Sequence, residues 1–316
     1  MQSLIGYRKV IIALAGAILV VFGAVWMTAL LPAMSKVPTD LDETVVLEGT
    51  YQVADSQTGQ LSSIPVTVTR VSEGAGTEAG DILLVQETIT AANSETGEDL
   101  TAMFGSTNML AINRSTLAMM PEAEGADMAR QGQWSPPIGV SEGSSFEIWN
   151  PAAEQALLAQ WTGTDTIGGV DVAVFQISAE NLALGPEEVS LPTGGTMTLD
   201  KYVSTEITLW IEPATGVVVN SQSDLTVAFE VPGIGTMPSF ISDVSYTDAT
   251  ISYYADKASG AATQLFLFGT VLPWGFIGIG AILILVPVDL ILLRRFFGEA
   301  PATTDVPAPN PISMDT

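Results

Sequence analysis

The chain has 316 residues, a formal net charge of −25 at pH 7, 47% hydrophobic residues and only 14% charged residues. It contains no histidine and no cysteine, which excludes Ser-His-Asp and Cys-His catalysis, ordinary zinc sites and disulfides. So negative a chain also disfavours binding to nucleic acid. No sequence motif indicates a cofactor, and none is predicted.

The first predicted element is a transmembrane helix at residues 10–31, where Thr28 is the one clearly polar side chain. At about 1.5 Å per residue the run spans about 33 Å, which is enough for a hydrocarbon core of about 30 Å. A cleaved signal peptide is the alternative. The run exceeds the usual apolar region of about 7–15 residues, and the segment 32–35 matches a cleavage site poorly. An uncleaved anchor is therefore favoured.

An acidic, β-rich domain is predicted for residues 32–264. Alternating apolar and polar side chains indicate strands, and Thr-Gly pairs recur where strands should reverse. The total of about nine to twelve predicted strands favours an antiparallel sheet, a barrel or a half-barrel. Asn150 and Pro151 could open a short helix, as its cap and its first residue. The strand-like segments are 44–53, 64–71, 82–90, 109–113, 170–177, 207–211, 217–219, 225–231 and 240–246.

Residues 121–145 are rich in Gly, Pro, Ser and Glu and predict a loop. Large apolar side chains cluster in and around it, and each should stabilise the fold by roughly 1.5–3 kcal/mol when buried. They could form a lid over an apolar groove, or they could complete the core. The six side chains are Met119, Met120, Met128, Trp134, Phe146 and Trp149.

A second transmembrane helix is predicted at residues 265–293. Asp289 is its one charge, close enough to the following arginines to reach the membrane interface. Gly16 and Gly23 share a face of the first helix and would allow close packing against Gly275 or Gly278 of the second.

The basic flanks predict the orientation. Arg8 and Lys9 precede the first helix, and Arg294 and Arg295 follow the second. Because cytoplasmic flanks collect Lys and Arg, both termini should be cytoplasmic, with the central domain outside a plasma membrane. Residues 1–9 are then a cytoplasmic N-terminus, and residues 294–316 a cytoplasmic, disordered tail.

Several short motifs resemble the PorA-like membrane family of actinobacteria. They include Val45–Thr50 after the first anchor, Trp149-Asn150-Pro151, Trp161-Thr162-Gly163 and, most specifically, residues 208–219. The resemblance covers nearly all of residues 1–297. It implies two anchors around a β domain, and the name of the family implies a porin. The resemblance carries no catalytic residues.

Two functions follow from these features. The favoured hypothesis is a non-enzymatic cell-envelope protein whose β domain binds a hydrophobic molecule such as a lipid, or another envelope protein. The alternative is a pore-forming or transport-accessory protein. A membrane-spanning barrel needs strands with an outward apolar band, whereas this chain carries its long apolar runs in the two helices. Membrane lipids are expected partners in either case.

Overall fold

The computed structural model describes residues 2–55, 58–78, 80–190 and 195–297. The chain divides into two compact units: one combines Met1–Leu31 with the chain from Phe268 onward, and the other is Pro32–Leu267. The predicted tail beyond residue 297 lies outside the described residues, as do the side chains of Asp289, Arg294 and Arg295.

The first unit is helical. Helix α1 (Gln2–Val25) runs into a π-helical turn at Trp26–Leu30 and then the short helix α2 (Leu31–Met34), while a second π-helical turn at Leu267–Val271 precedes the terminal helix. Helical stretches at Val10–Met34 and Asp248–Val286 are long and apolar enough to cross a membrane.

The second unit is built on one antiparallel sheet that curls into a half-barrel. Its ten strands run in the order β4-β3-β2-β1-β10-β9-β8-β7-β6-β5, so that almost every strand pairs with its neighbour in sequence. This confirms the predicted mostly β fold with two apolar helices. The strands are β1 (Asp42–Ala54), β2 (Leu61–Thr77), β3 (Ile82–Asn93), β4 (Ser106–Asn113), β5 (Ser145–Asn150), β6 (Gln155–Ile167), β7 (Val170–Ser190), β8 (Thr196–Ile211), β9 (Val218–Val231) and β10 (Gly235–Tyr246).

The described residues form three further helices: α3 (Thr101–Phe104), α4 (Asp248–Phe266) and α5 (Leu272–Phe297). Helix α4 begins directly after β10, where the side chain of Thr247 caps it by accepting a hydrogen bond from the Thr250 amide. It packs mainly on β9 and also contacts β1 and β7.

The short helix predicted at Asn150 is wrong. Asn150 does accept a hydrogen bond at Oδ1 from the Ala153 amide, at 2.8 Å. However, residues 151–154 form only a tight turn, in which Glu154 adopts a positive φ of 52°, and strand β6 starts at Gln155. Asn favours such local turns as strongly as helix caps, so the same residue fits both structures.

Most buried apolar side chains lie on the inner face of the sheet, in separate clusters, whereas Val172 of β7 points to the other face and packs with Ala255 and Ala258 of helix α4. One cluster, here called the β5–β8 cluster, includes Phe146, Phe175 and Ile211. A second, the β1–β3 cluster, includes Tyr51, Val66 and Val68, together with Val244 of β10. These two clusters lie on either side of β9 in the strand order.

Candidate functional site

The two long helices approach closely at glycines. A Cβ atom added at Gly16 would lie 2.6 Å from the carbonyl oxygen of Gly280, and one added at Gly23 would lie 2.9 Å from that of Pro273. Both positions of helix α1 therefore require glycine for this packing. On helix α5 the close approach involves Gly280, whereas the space beside Gly275 and Gly278 is open.

Aromatic contacts join the same two helices where their π-helical turns face each other. The indole Nε1 of Trp26 donates a hydrogen bond to the carbonyl oxygen of Phe268 at 2.8 Å, and the two rings lie 6.4 Å apart. Phe22 meets Phe276 edge to face at 5.1 Å. The indole thus donates from the π-helical turn after α1 to a carbonyl of the π-helical turn before the terminal helix.

The six apolar residues around the 121–145 loop do not come together in one place. Met119 is 7% exposed and packs beside Leu83 and Ile112, with Trp134 and Trp149 against the same cluster. Phe146 instead belongs to the β5–β8 cluster, with its ring 5.2 Å from that of Phe175.

The other two methionines of that set lie elsewhere. The Met120 amide donates to the carbonyl of Ala111 at 2.9 Å, which holds its backbone against β4. Met128 is 47% exposed. An open surface depression of about 570 Å³ beside the loop is lined by Met119 and Phe146 and also by the polar residues Gln133 and Glu147.

Backbone hydrogen bonds through the loop link the two edge strands of the sheet. The Met119 amide donates to the carbonyl of Gly132, and the Gln133 amide donates to that of Glu147 on β5, both at 2.8 Å. Both edges are thereby covered, which protects them from pairing with another chain.

A strip of small and half-buried side chains runs along the inner face of β9, between the two apolar clusters. Ser223 pairs with Ile207 on β8 and Val244 on β10, and Leu225 pairs with the buried Thr205 and Ser242. We call Ser221, Ser223, Leu225 and Val227 the β9 strip, and all four are half-buried. Ile207 and Val244 flank the strip at Ser223, and Val203 and Phe240 flank it at Val227.

One end of the β9 strip is closed by strand β1 and helix α4. Tyr246 and Tyr254 are both buried there beside Val45. The Thr250 hydroxyl donates to the carbonyl of Val46 at 2.9 Å, and Lys257 forms an ion pair with Glu43. These contacts hold α4 against β1.

Arg70 lies on the inner face of β2 at this closed end, opposite Val45 on β1 and Ile89 on β3. Burial acts against its charge, but the nearby oxygens of Tyr246 and Glu87 outweigh burial and raise the pKa of the guanidinium. Burial also raises the pKa of the Tyr246 phenol. Within the described residues, no carboxylate lies at ion-pair distance from Arg70.

Sequence reasoning missed both Arg70 and the β9 strip. A lone arginine in an alternating strand looks like an outward-facing residue, and two serines in a strand look like surface residues. Among the residues whose placement is described, no three acidic side chains come close enough to hold a metal ion.

Comparison with known proteins gives one family. Residues 9–288 match the family described as Porin PorA, which covers nearly the whole chain, and no curated protein matches. The match includes the apolar helix at the N-terminus, the ten-stranded half-barrel and most of the second apolar helix. The chain is therefore a membrane protein that belongs to the porin PorA family.

Proposed function

We propose that this protein is a non-enzymatic component of the cell envelope whose half-barrel binds an elongated apolar molecule, such as a lipid, along the β9 strip. The observation that carries the proposal is the strip itself. Its half-buried Leu225 and Val227 remain partly open to solvent between two apolar clusters.

The dimensions of the strip suit a long alkyl chain. Its inner-face positions run from Ser221 to Val227, six residues apart on one strand. At about 3.4 Å per residue this is about 20 Å. Each buried methylene stabilises a complex by about 0.8 kcal/mol, so a long chain gains enough to offset the cost of association.

We also propose that the protein resides in the plasma membrane with both termini in the cytoplasm, as the basic flanks predict. Membrane lipids then surround the helices and are the most abundant apolar molecules near the half-barrel. The outward side chains of helix α1, such as Ile11, Leu14 and Ile18, are exposed and apolar, which suits contact with acyl chains.

A pore is the second candidate, and the family description favours it. A pore between helices needs polar side chains to line it, and the membrane-spanning stretch at residues 10–31 has only Thr28. The Thr28 hydroxyl already donates a hydrogen bond to the Ala24 carbonyl at 2.9 Å. Recording ion currents across planar bilayers containing the purified chain tests this candidate. Stable single-channel steps would favour the pore over the binding function.

Titration with a fluorescent fatty acid tests the binding function. The full chain is held in amphipol, and we expect saturable binding. Ser223→Phe places a large ring on the β9 strip and should weaken binding at least about tenfold, because it fills the space that the alkyl chain needs. Gln222→Phe is the matched control, since Gln222 is exposed on the outer face of the same strand.

Equal binding by Ser223→Phe and the wild type would contradict the proposal, and so would an equal loss in both variants. Thermal unfolding of each variant shows whether the half-barrel stays folded.

A further inference from the structure

The closed end of the β9 strip holds a positive charge that has no ion-pair partner. Arg70 is half-buried on the inner face, and its guanidinium carries five N–H donors. Nearby phenol and carboxylate oxygens stabilise this charge, the Tyr246 phenol most and then Glu87. None of the ion pairs among the described residues includes Arg70, so its planar fork is available to a ligand carboxylate.

The neighbouring charges indicate what kind of anion fits. Glu43 is already paired with Lys257, which leaves Glu87 as the nearby carboxylate without such a partner. A ligand with one negative charge matches the single guanidinium. A doubly charged phosphate would meet stronger repulsion from Glu87 and from a domain that is acidic overall.

The position of Arg70 joins this charge to the β9 strip. Arg70 pairs with Val45 on β1, two residues from Leu47, which pairs with Tyr246 on β10. Tyr246 follows Ser245, which pairs with Gln222 on β9. Ser221 is the next residue along β9, so the guanidinium lies at the Ser221 end of the strip. An alkyl chain on the strip would therefore have its head beside Arg70 and its tail toward Val227.

We propose that the ligand of the half-barrel is a single-chain amphiphile with one carboxylate, which pairs with Arg70 while its alkyl chain lies along the β9 strip. The inference rests on the proposed binding function and adds the chemical class of the ligand. Tyr246 and Tyr254 pack with Val45 beside the guanidinium, at the end of the strip where the carboxylate would bind.

Equilibrium dialysis with radiolabelled palmitate and hexadecanol tests the inference on the full chain in amphipol. The wild type should prefer palmitate, because the alcohol has the same chain without the charge. Arg70→Met should reduce palmitate affinity at least about tenfold and leave hexadecanol affinity almost unchanged. Arg70→Lys keeps the charge without the planar fork and should retain part of the preference.

Lys201→Met is the matched control for loss of a cation. Lys201 lies on β8, opposite Phe229, where it already pairs with Glu187 at 2.9 Å. The preference for palmitate should survive this change. Loss of the preference in Lys201→Met, with none in Arg70→Met, would overturn the assignment of the headgroup to Arg70.

The outcomes separate this inference from the proposed function. Equal affinity for palmitate and hexadecanol in the wild type, with no effect of Arg70→Met, would overturn the carboxylate and leave apolar binding intact. No saturable binding of either ligand would overturn both. Normal hexadecanol binding by Arg70→Met would show that the variant is folded. Its loss of palmitate affinity would then measure the contribution of the carboxylate alone.

Discussion

At the scale of residues, three like charges lie side by side across the outer face of the sheet. Asp224 on β9 is directly opposite Glu206 on β8 and Asp243 on β10. Partial burial, and then the charges of Asp243 and Glu206, raise the pKa of the Asp224 carboxyl. Like charges in directly opposed positions destabilise a sheet.

This row predicts a pH-dependent effect. Because the pKa of Asp224 is higher in the folded than in the unfolded protein, its contribution to stability is lost as pH rises through that folded value and recovered below it. Asp243→Asn removes one repelling charge and should raise stability at pH 7 by a few tenths of a kcal/mol, since the carboxylates are exposed and screened. At about pH 3, where Asp224 is largely protonated because its pKa is raised, the gain should vanish.

Thermal unfolding of the full chain at both pH values measures the effect. Glu48→Gln is the control, because Glu48 on β1 faces Thr67 and Ser245 rather than another acid. A gain of the same size at both pH values, or a gain that Glu48→Gln reproduces, would show that repulsion in the row is not its cause.

At the scale of elements, the sequence predicts most strands, and its failures are informative. Strand β9 runs without a break from Val218 to Val231, whereas the alternation pattern predicts a strand only at 217–219 and again at 225–231. The intervening residues are Asn-Ser-Gln-Ser-Asp, which contain no apolar side chain to mark an inner face. The polar run hides this part of the strand from the alternation pattern. Its two small serines also form half of the β9 strip.

Strands β7 and β8 are longer than the pattern predicts for a different reason. Alternation indicates 170–177 and 207–211, but the strands continue to Ser190 and start at Thr196. Their distal parts pair mainly with each other and carry exposed side chains, such as Glu188 opposite Thr198. Cross-strand pairing, which a single segment does not reveal, holds them extended.

The packing of the helix pair shows a similar limit. The sequence indicates that Gly16 and Gly23 share one face, because seven residues make nearly two turns. It does not give the rotation of helix α5, which brings Gly280 rather than Gly275 or Gly278 to the contact. That rotation depends on side chains of both helices together, including the contact of Phe22 with Phe276.

At the scale of the whole molecule, the basic flanks predict that both termini are cytoplasmic. Protease added outside intact cells should digest residues 32–264 and spare epitope tags at both ends. The reason is the retention of Lys and Arg on the cytoplasmic side of each helix. A terminal tag that is cleaved without breaking the cells would contradict this orientation.

We propose that the inner face of the half-barrel, rather than the helices alone, holds an alkyl chain. Photo-crosslinking in membranes with a diazirine analogue of palmitate, followed by peptide mapping, tests this proposal. We predict labelling of inner-face positions on β8, β9 and β10 around Ser223, and loss of that labelling in Ser223→Phe. Labelling confined to residues 10–31 and 265–293, unchanged by Ser223→Phe, would contradict the claim.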